Sequence, residues 1–334
     1  MMNGREGNGP GEVARYNGFD WLRGFAALFI VAVHLSVGTT PAWTYLSTFG
    51  SDVGIEVFAA ISGFLLAMLI DKSRDRQIGH LIIHRAKRLL PTYLMWTAAY
   101  LVALSLLDIA FGTPRGYLAG LSPRFIAKAV FRGSAEVHLW FVPCLFIASA
   151  LLIIVDRIPW AKLRCGWVYL MGGVMIGLVG DYWETRFVHY DVRLLGWLMF
   201  GMGLSRLVRR SNASTALQRI RRGAALAVVP AMVAHVLLQH SIYWHAIDFI
   251  VVLTLLLALS APSIPSSRVA SFLSRTSLSV YYVHLLIARL LSVAIRARHL
   301  EPLDMVGSLG LWALVWLTSL AIIALWDVMR NRCA

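Results

Sequence analysis

Long apolar segments alternate with short polar ones along nearly the whole chain. Ten of these segments approach the ~20 residues that an α-helix needs to cross a bilayer. Backbone in lipid must satisfy its own hydrogen bonds, and no alternation typical of a β-barrel is present, so the pattern predicts an all-α polytopic membrane protein with about ten transmembrane helices. The segments are 22–40, 53–70, 89–108, 137–155, 166–180, 193–208, 223–240, 245–261, 277–296 and 306–328.

Composition agrees with this prediction. Hydrophobic residues make up 58% of the 334 residues and charged residues only 14%, with a mean hydropathy of +0.68. A soluble domain needs a polar coat of about 25% charged residues, so a soluble fold is excluded. Residues 1–17 are rich in Gly, Asn and charge, which predicts a disordered cytoplasmic N-terminus without a signal peptide. Residues 18–330 are predicted to form one transmembrane domain.

The distribution of Lys and Arg sets the predicted orientation. If the N-terminus is cytoplasmic, 22 of the 31 basic residues fall in cytoplasmic segments, and the first outer loop, 41–52, has none. The positive-inside rule therefore predicts that both termini are cytoplasmic. This rule explains the net charge of +14, so we expect no nucleic-acid partner. The three cysteines form no metal-binding or disulfide pattern, so we expect no metal.

The first apolar segment contains "RGFAALFIVAVH", residues 23–34. Eleven residues advance about 20° beyond three full helical turns, so Arg23 and His34 share one face, roughly 16 Å apart along the axis. Arg23 lies at the cytoplasmic end, where Asp20 can pair with it. His34 lies beyond the membrane centre, where an ionisable group is costly. One interpretation is that Arg23 only anchors the helix and that His34 is a packed, hydrogen-bonded histidine. The other is that both residues are functional, and the spacing alone favours neither.

Four motifs, in order along the chain, resemble the membrane-bound acyltransferase-3 family. They are "FDWLRGFAALFIVAVH" (19–34), "FGSDVGIEVFAAISGFLLAMLI" (49–70), "HRAKRLLPTY" (84–93) and "LSRTSLSVYYVHLLI" (273–287). The fourth helix departs from many members, because "HLWFVPCLF" (138–146) lacks their glutamate. The resemblance implies transfer of an acyl group, usually acetyl, from cytoplasmic acyl-CoA to a sugar hydroxyl of a cell-envelope polysaccharide or lipid-linked sugar in the bacterial-type plasma (inner) membrane.

The resemblance makes His34 the candidate catalytic base, because a histidine can take the proton of a hydroxyl as it attacks a thioester. A short-lived acyl-histidine is a second route. Glu56 enters from the outer side at a similar depth, and its carboxylate can orient the imidazole. The alternative for Glu56 is a structural partner of another donor. Ser62 is expected to permit close helix packing and not to act as a nucleophile.

Four basic residues are candidates for binding the phosphates of CoA: Arg23, Arg85, Lys87 and Arg88. Arginine suits bidentate contact with phosphate. The alternative is that the last three only obey the positive-inside rule.

The remaining candidates lie towards the outer side. His138 and Trp140 are candidate sugar-binding residues, although Trp at an interface often serves as a membrane anchor. We expect His284 to be a packed or hydrogen-bonded core histidine. Basic residues spaced by four, from Arg124 to Arg132, predict an interfacial helix in the outer loop.

A transporter or exporter of a glycan or small solute is the alternative function, because intramembrane charge also marks transport pathways. Paired broken helices and inverted repeats are not evident in the sequence, which favours the enzyme. The acceptor, the acyl chain and the oligomeric state do not follow from these residues.

Overall fold

The computed structural model describes residues 16–35, 41–111, 122–158, 165–183, 186–187, 190–211, 214–238, 244–261, 263–297 and 304–333. In this part of the chain the fold consists of twelve α-helices. They are α1 Asn17–Val33, α2 Pro41–Phe49, α3 Ile55–Lys72, α4 Ile78–Phe111, α5 Pro123–Arg132, α6 Phe141–Arg157, α7 Gly166–Trp183, α8 Val192–Arg210, α9 Thr215–Leu237, α10 Trp244–Leu259, α11 Arg268–Ala297 and α12 Met305–Cys333.

Each of the ten predicted segments coincides with one of the ten long helices. Among the described residues, three spans within these helices, 78–107, 215–237 and 305–326, are long and apolar enough to cross a membrane. The helical fold class is therefore confirmed, while the number of spans and the orientation of the termini stay predictions. Two features were not predicted: the short helix α2 with its π-helical continuation Gly50–Gly54, and a ribbon of two-residue strands, Arg186–Phe187 and Tyr190–Asp191.

The predicted interfacial helix corresponds to α5. It begins after Ser122, whose hydroxyl accepts a hydrogen bond from the Phe125 N–H at 3.2 Å. Such caps satisfy a backbone donor that the first helical turn leaves unpaired. The helix ends at Gly133, whose φ of 65° is readily adopted only by glycine.

The centre of the bundle depends on close contact between α3 and α8. A Cβ atom at Gly63 would collide with the carbonyl oxygen of Leu198, and one at Gly201 would collide with that of Ala60. Small residues let helix backbones approach one another in a membrane protein, where packing replaces the hydrophobic effect as the driving force. The packing role predicted for the segment around Ser62 is thus confirmed at its neighbour Gly63.

Contacts between helix termini give the bundle two chemically different ends. Asp71 and Arg209, at the C-terminal ends of α3 and α8, form an ion pair of 2.8 Å. The charge of Arg209 also acts on Tyr16, which precedes α1. We call this the arginine end. Because α1 runs away from it, His34 lies at the opposite end, which we call the histidine end.

The predicted N-terminal tail lies mostly outside the described residues, but its last two residues belong to the folded domain. Tyr16 is 9% exposed and stacks on Phe19, with ring centroids 5.3 Å apart. The Asn17 amide donates to the carbonyl of Ile264 at 3.0 Å. The predicted boundary at residue 17 was therefore too late by two residues, because an aromatic contact and a long-range hydrogen bond hold these side chains.

Candidate active site

His34 follows the last residue of α1 directly. The helix is held along its length by α11 and α12: a Cβ atom at Gly24 would press on Leu273, and the Trp312 indole donates to the carbonyl of Leu28 at 2.9 Å. These contacts fix where α1 ends. The imidazole of His34 is thus presented at a defined point of the histidine end, three helical turns from Arg23.

Three histidines from separate parts of the chain meet there. The ring of His34 lies 5.2 Å from that of His284 on α11 and 5.9 Å from that of His138, which precedes α6. His138 and His284 are themselves 5.2 Å apart between ring centroids. His138 is 2% exposed and His284 is fully buried. We call this group the histidine cluster.

Hydrogen bonds determine one tautomer in the cluster. The Nδ1 atom of His284 lies 3.0 Å from the carbonyl oxygen of Val280. A carbonyl oxygen only accepts, so Nδ1 carries the proton and Nε2 is left as an acceptor. Within the described residues Nε2 has no hydrogen-bond partner. The prediction of a buried, hydrogen-bonded His284 is confirmed, but one ring nitrogen stays available next to His34.

Tyr100 of α4 holds α11 beside the cluster. Its hydroxyl donates to the carbonyl of Tyr282 at 2.7 Å and accepts from the N–H of Leu286 at 3.0 Å. In a regular helix those two backbone groups would pair with each other. A side chain inserted into the hydrogen-bond ladder is a known cause of helix bending. Tyr100 therefore influences the direction of α11 at His284.

A cavity of about 250 Å³ adjoins the cluster, and His34 and Glu56 both line it. Glu56 is 7% exposed, in the first turn of α3. The predicted sugar-binding residues His138 and Trp140 line the same cavity. The structure thus brings together the four residues that the sequence proposed for catalysis and acceptor binding. Their individual roles stay predictions.

An ion pair next to the cluster, with a buried carboxylate and a half-buried guanidinium, was not predicted. Nη2 of Arg289, on α11, lies 3.0 Å from Oε1 of Glu136, whose side chain is 4% exposed. The positive charge of Arg289 acts on both His34 and His138. An arginine within an apolar helix was the available signal, since such a residue marks a functional site and requires a partner. Glu136 lies two residues before "HLWFVPCLF", the segment that lacks the glutamate of many family members.

The predicted donor residues lie away from the histidine cluster, with Arg23 in the second turn of α1 and the other three on α4. The charges of Arg23, Arg85 and Arg88 act on one another, which places the three guanidinium groups in one neighbourhood. Asp20 acts on Arg23 as well. Arg85 is 8% exposed, and its Nε and Nη2 atoms have no hydrogen-bond partner in the part of the chain that is described.

Lys87 and Arg88 differ from Arg85, because both side chains are exposed. The positive-inside rule by itself explains exposed basic residues such as these. It does not explain Arg85, since burying a guanidinium with unpaired donors is costly. Arg85 is therefore the donor-site candidate that the structure favours most.

Comparisons with known proteins identify the family of the chain. The model of an acyltransferase domain, that of the acyltransferase-3 family, matches residues 16–330. An amino-acid racemase of Enterococcus faecalis is 29% identical over 178 residues, which are 50% of this chain and 22% of that protein. The chain thus matches about a fifth of the length of that relative. No solved structure matches it. The family match covers nearly all of the fold described above, and the chain belongs to the acyltransferase-3 family of membrane acyltransferases.

Proposed function

We propose that the chain is an integral membrane O-acyltransferase that moves an acyl group, most simply acetyl, from cytoplasmic acyl-CoA to a hydroxyl of a cell-envelope polysaccharide or lipid-linked sugar. In this proposal it crosses a bacterial-type plasma (inner) membrane about ten times, with the arginine end and both termini in the cytoplasm. One observation carries the proposal: His34 shares a cavity with Glu56 at one end of α1, while Arg23 lies near the buried Arg85 at the other end.

Arg23 and His34 are spaced along α1 so that they can contact the two ends of an acyl-CoA. The phosphates lie at one end of the donor and the thioester at the other, joined by a flexible pantetheine arm. Arg23 and His34 are separated by roughly 16 Å along the helix axis, a distance that an extended arm covers. A phosphate bound to Arg85 would satisfy donors that otherwise stay unpaired in a buried position. Exposed Lys87 and Arg88 would add long-range attraction for the anion.

The chemistry we assign to His34 is general base catalysis. Its ring takes the proton of the acceptor hydroxyl while that oxygen attacks the thioester carbonyl carbon. The carbon–sulfur bond then breaks, and the leaving thiolate takes the proton from the imidazolium. In the second route the ring nitrogen attacks first, and the hydroxyl then attacks the acyl-imidazole. Both routes yield the same ester and free CoA thiol, and Glu56 supports the imidazolium in each.

The acceptor would bind in the cavity beside His34. Trp140 and Trp197 both contribute to its wall. Indole rings offer large apolar faces together with a polar N–H, which suits the mixed apolar and polar surface of a sugar. His138 contributes its ring to the same wall, next to His34. A hydroxyl bound there would approach the catalytic base from the histidine end.

The activity is tested with the full chain purified in detergent. We expect slow release of free thiol from acetyl-CoA without acceptor, because water replaces the sugar hydroxyl, and His34→Ala should abolish this release. Cells that lack the protein should also lose ester-linked acyl groups from their envelope glycans, measured by mass spectrometry. A transporter would release no thiol. Absence of thiol release together with unchanged glycan esters would overturn the proposed function.

The orientation is tested by labelling introduced cysteines in intact cells. Ser211, after α8 at the arginine end, and Ser134, between α5 and α6, are both exposed. In a background without Cys165 and Cys333, an impermeant thiol reagent should label Ser134→Cys and leave Ser211→Cys unlabelled until the cells are opened. The reverse pattern would contradict the cytoplasmic placement of the arginine end.

A further inference from the structure

A second cavity lies at the arginine end, between the C-terminal ends of α3, α6 and α8. Its volume is about 360 Å³. Among the described residues of its wall, five arginines face two aspartates, so three of those positive charges remain without an opposite charge in the wall. The lining residues are Ile70, Asp71, Arg74, Asp156, Arg157, Arg206, Arg209 and Arg210. None of them belongs to the group formed by Arg23, Arg85 and Arg88, and we call this space the arginine cavity.

Arg206 is the most buried of these arginines. It is 8% exposed, its Nη2 atom lies 2.5 Å from Oδ1 of Asp156, and its guanidinium lies over the ring of Tyr169 at 4.7 Å. The Tyr169 hydroxyl donates to the same oxygen of Asp156 at 3.0 Å. Within the described residues the buried Nη1 atom of Arg206 has no hydrogen-bond partner. A fixed donor of this kind is costly unless something binds it.

The neighbouring groups leave further donors unused. Arg157 donates through Nη1 and Nη2 to the carbonyl oxygens of Arg74 and Ser73, and its buried Nε has no partner in the described part of the chain. Asp71 pairs with Arg209 at 2.8 Å and lies 3.8 Å from both Arg74 and Arg206. One carboxylate is thus shared by three guanidinium groups. The positive-inside rule accounts for basic residues at this end, but not for a cavity walled by them.

We propose that the arginine cavity is a binding site for a phosphate monoester on the cytoplasmic side of the membrane. A dianion would offset most of the excess positive charge, and its oxygens match the paired donors of guanidinium groups. Ile70 is the sole apolar residue among the described residues of the wall, which therefore offers little matching surface to an acyl chain or a sugar face. The ligand is therefore recognised through its phosphate.

We consider two sources of such a group at a cytoplasmic membrane surface. One is the 3′-phosphate of CoA, in which case the cavity holds the far end of the donor, and this version rests on the proposed function. The other is the headgroup of a lipid phosphomonoester such as phosphatidic acid. The phosphate site itself depends on neither, because its residues take no part in the chemistry at His34.

The experiment measures binding and not transfer, so its failure is distinguishable from failure of the proposed function. The full chain in detergent is titrated calorimetrically with CoA and with 3′-dephospho-CoA. The chain is also placed in nanodiscs of phosphatidylcholine with or without phosphatidic acid, and its Tm is recorded. We expect either CoA to bind at least about tenfold more tightly than 3′-dephospho-CoA, or phosphatidic acid to raise the Tm.

The variants Arg74→Gln and Arg209→Gln should reduce whichever effect is found. These side chains are 67% and 40% exposed, so the fold does not depend on burying them. Arg222→Gln is the matched control, an exposed arginine at the start of α9 that does not line the cavity. A difference between the two CoA forms identifies the donor as the source, and a response to phosphatidic acid identifies the lipid. Equal CoA affinities with no lipid response, or effects that Arg222→Gln removes equally, would overturn the proposal.

Discussion

The two cavities lie at opposite ends of the bundle, and they differ in the titratable and charged side chains that surround them. At the histidine end, imidazoles from three parts of the chain lie 5.2–5.9 Å apart beside the ion pair of Glu136 and Arg289. At the arginine end, five guanidinium groups share two carboxylates. An imidazole gains and loses a proton near neutral pH, whereas a guanidinium stays charged. The first arrangement is therefore suited to moving protons, and the second to holding an anion.

The largest effect should come from removing the proton acceptor. His34→Ala is expected to reduce acyl transfer by about 10²–10⁴-fold, the usual contribution of a general base, while acetyl-CoA still binds. Glu56→Gln should reduce transfer less, because an amide oxygen can still accept a hydrogen bond from the ring. His80→Ala, an exposed histidine at the start of α4, is the control. Transfer rates and calorimetric CoA binding are measured for all three variants, and near-normal transfer by His34→Ala would make this residue a packing histidine.

A second prediction separates binding from chemistry at the other end of α1. Arg85→Gln should raise the KM for acetyl-CoA by about 10–100-fold with little change in kcat, because a charged hydrogen bond to the donor is lost before and during reaction alike. Arg76→Gln, an exposed arginine in the α3–α4 connection, should leave both constants unchanged. Steady-state kinetics with acetyl-CoA give both constants for each variant. A fall in kcat at constant KM would remove Arg85 from the donor site.

The ion pair beside the histidine cluster offers a third prediction. Glu136→Gln and Arg289→Met should each lower the stability of the protein, and Arg289→Met should lower it more, because it leaves the buried Glu136 carboxylate without its opposite charge, whereas Arg289 is 31% exposed. In the double variant the two losses should not add, with a coupling energy of about 1–3 kcal/mol. Thermal unfolding in detergent provides the measurement. Simple additivity would show that the 3.0 Å contact contributes nothing to the fold.

The smallest effect is expected at Tyr100. Tyr100→Phe removes the hydroxyl between the carbonyl of Tyr282 and the N–H of Leu286. Those two backbone groups can then pair with each other, so the loss of stability should be only about 1 kcal/mol. The kcat should nevertheless fall a few-fold, because α11 straightens and His284 shifts relative to His34. If kcat is unchanged while Tm falls, Tyr100 supports the fold alone.

Much of this architecture could be predicted because a membrane helix is formed by a continuous apolar segment of the sequence. Each of the ten apolar segments overlaps a helix, and Arg23 lies in the second turn of α1, three turns before His34, which follows the last residue of that helix. Helix boundaries were less predictable. The helix containing Arg85 begins at Ile78, eleven residues before the apolar segment, because polar and basic residues continue the same hydrogen-bond ladder. Tyr16 likewise joins the fold through contacts with Phe19 and Phe64 that no local pattern encodes.

The sequence by itself determined the helical class, the membrane setting, the family motifs and the separation of Arg23 from His34. All of these depend on local periodicity and composition. Only the tertiary structure decided that His138 and His284 join His34, that Glu136 meets Arg289 across 153 positions, and that Arg206 meets Asp156 across 50. Such contacts depend on how each helix is rotated and how closely its neighbours approach, and glycines such as Gly63 and Gly201 set that approach. Helical periodicity determines which side chains share one face of a helix, but the packing of the helices determines which neighbouring residues that face contacts.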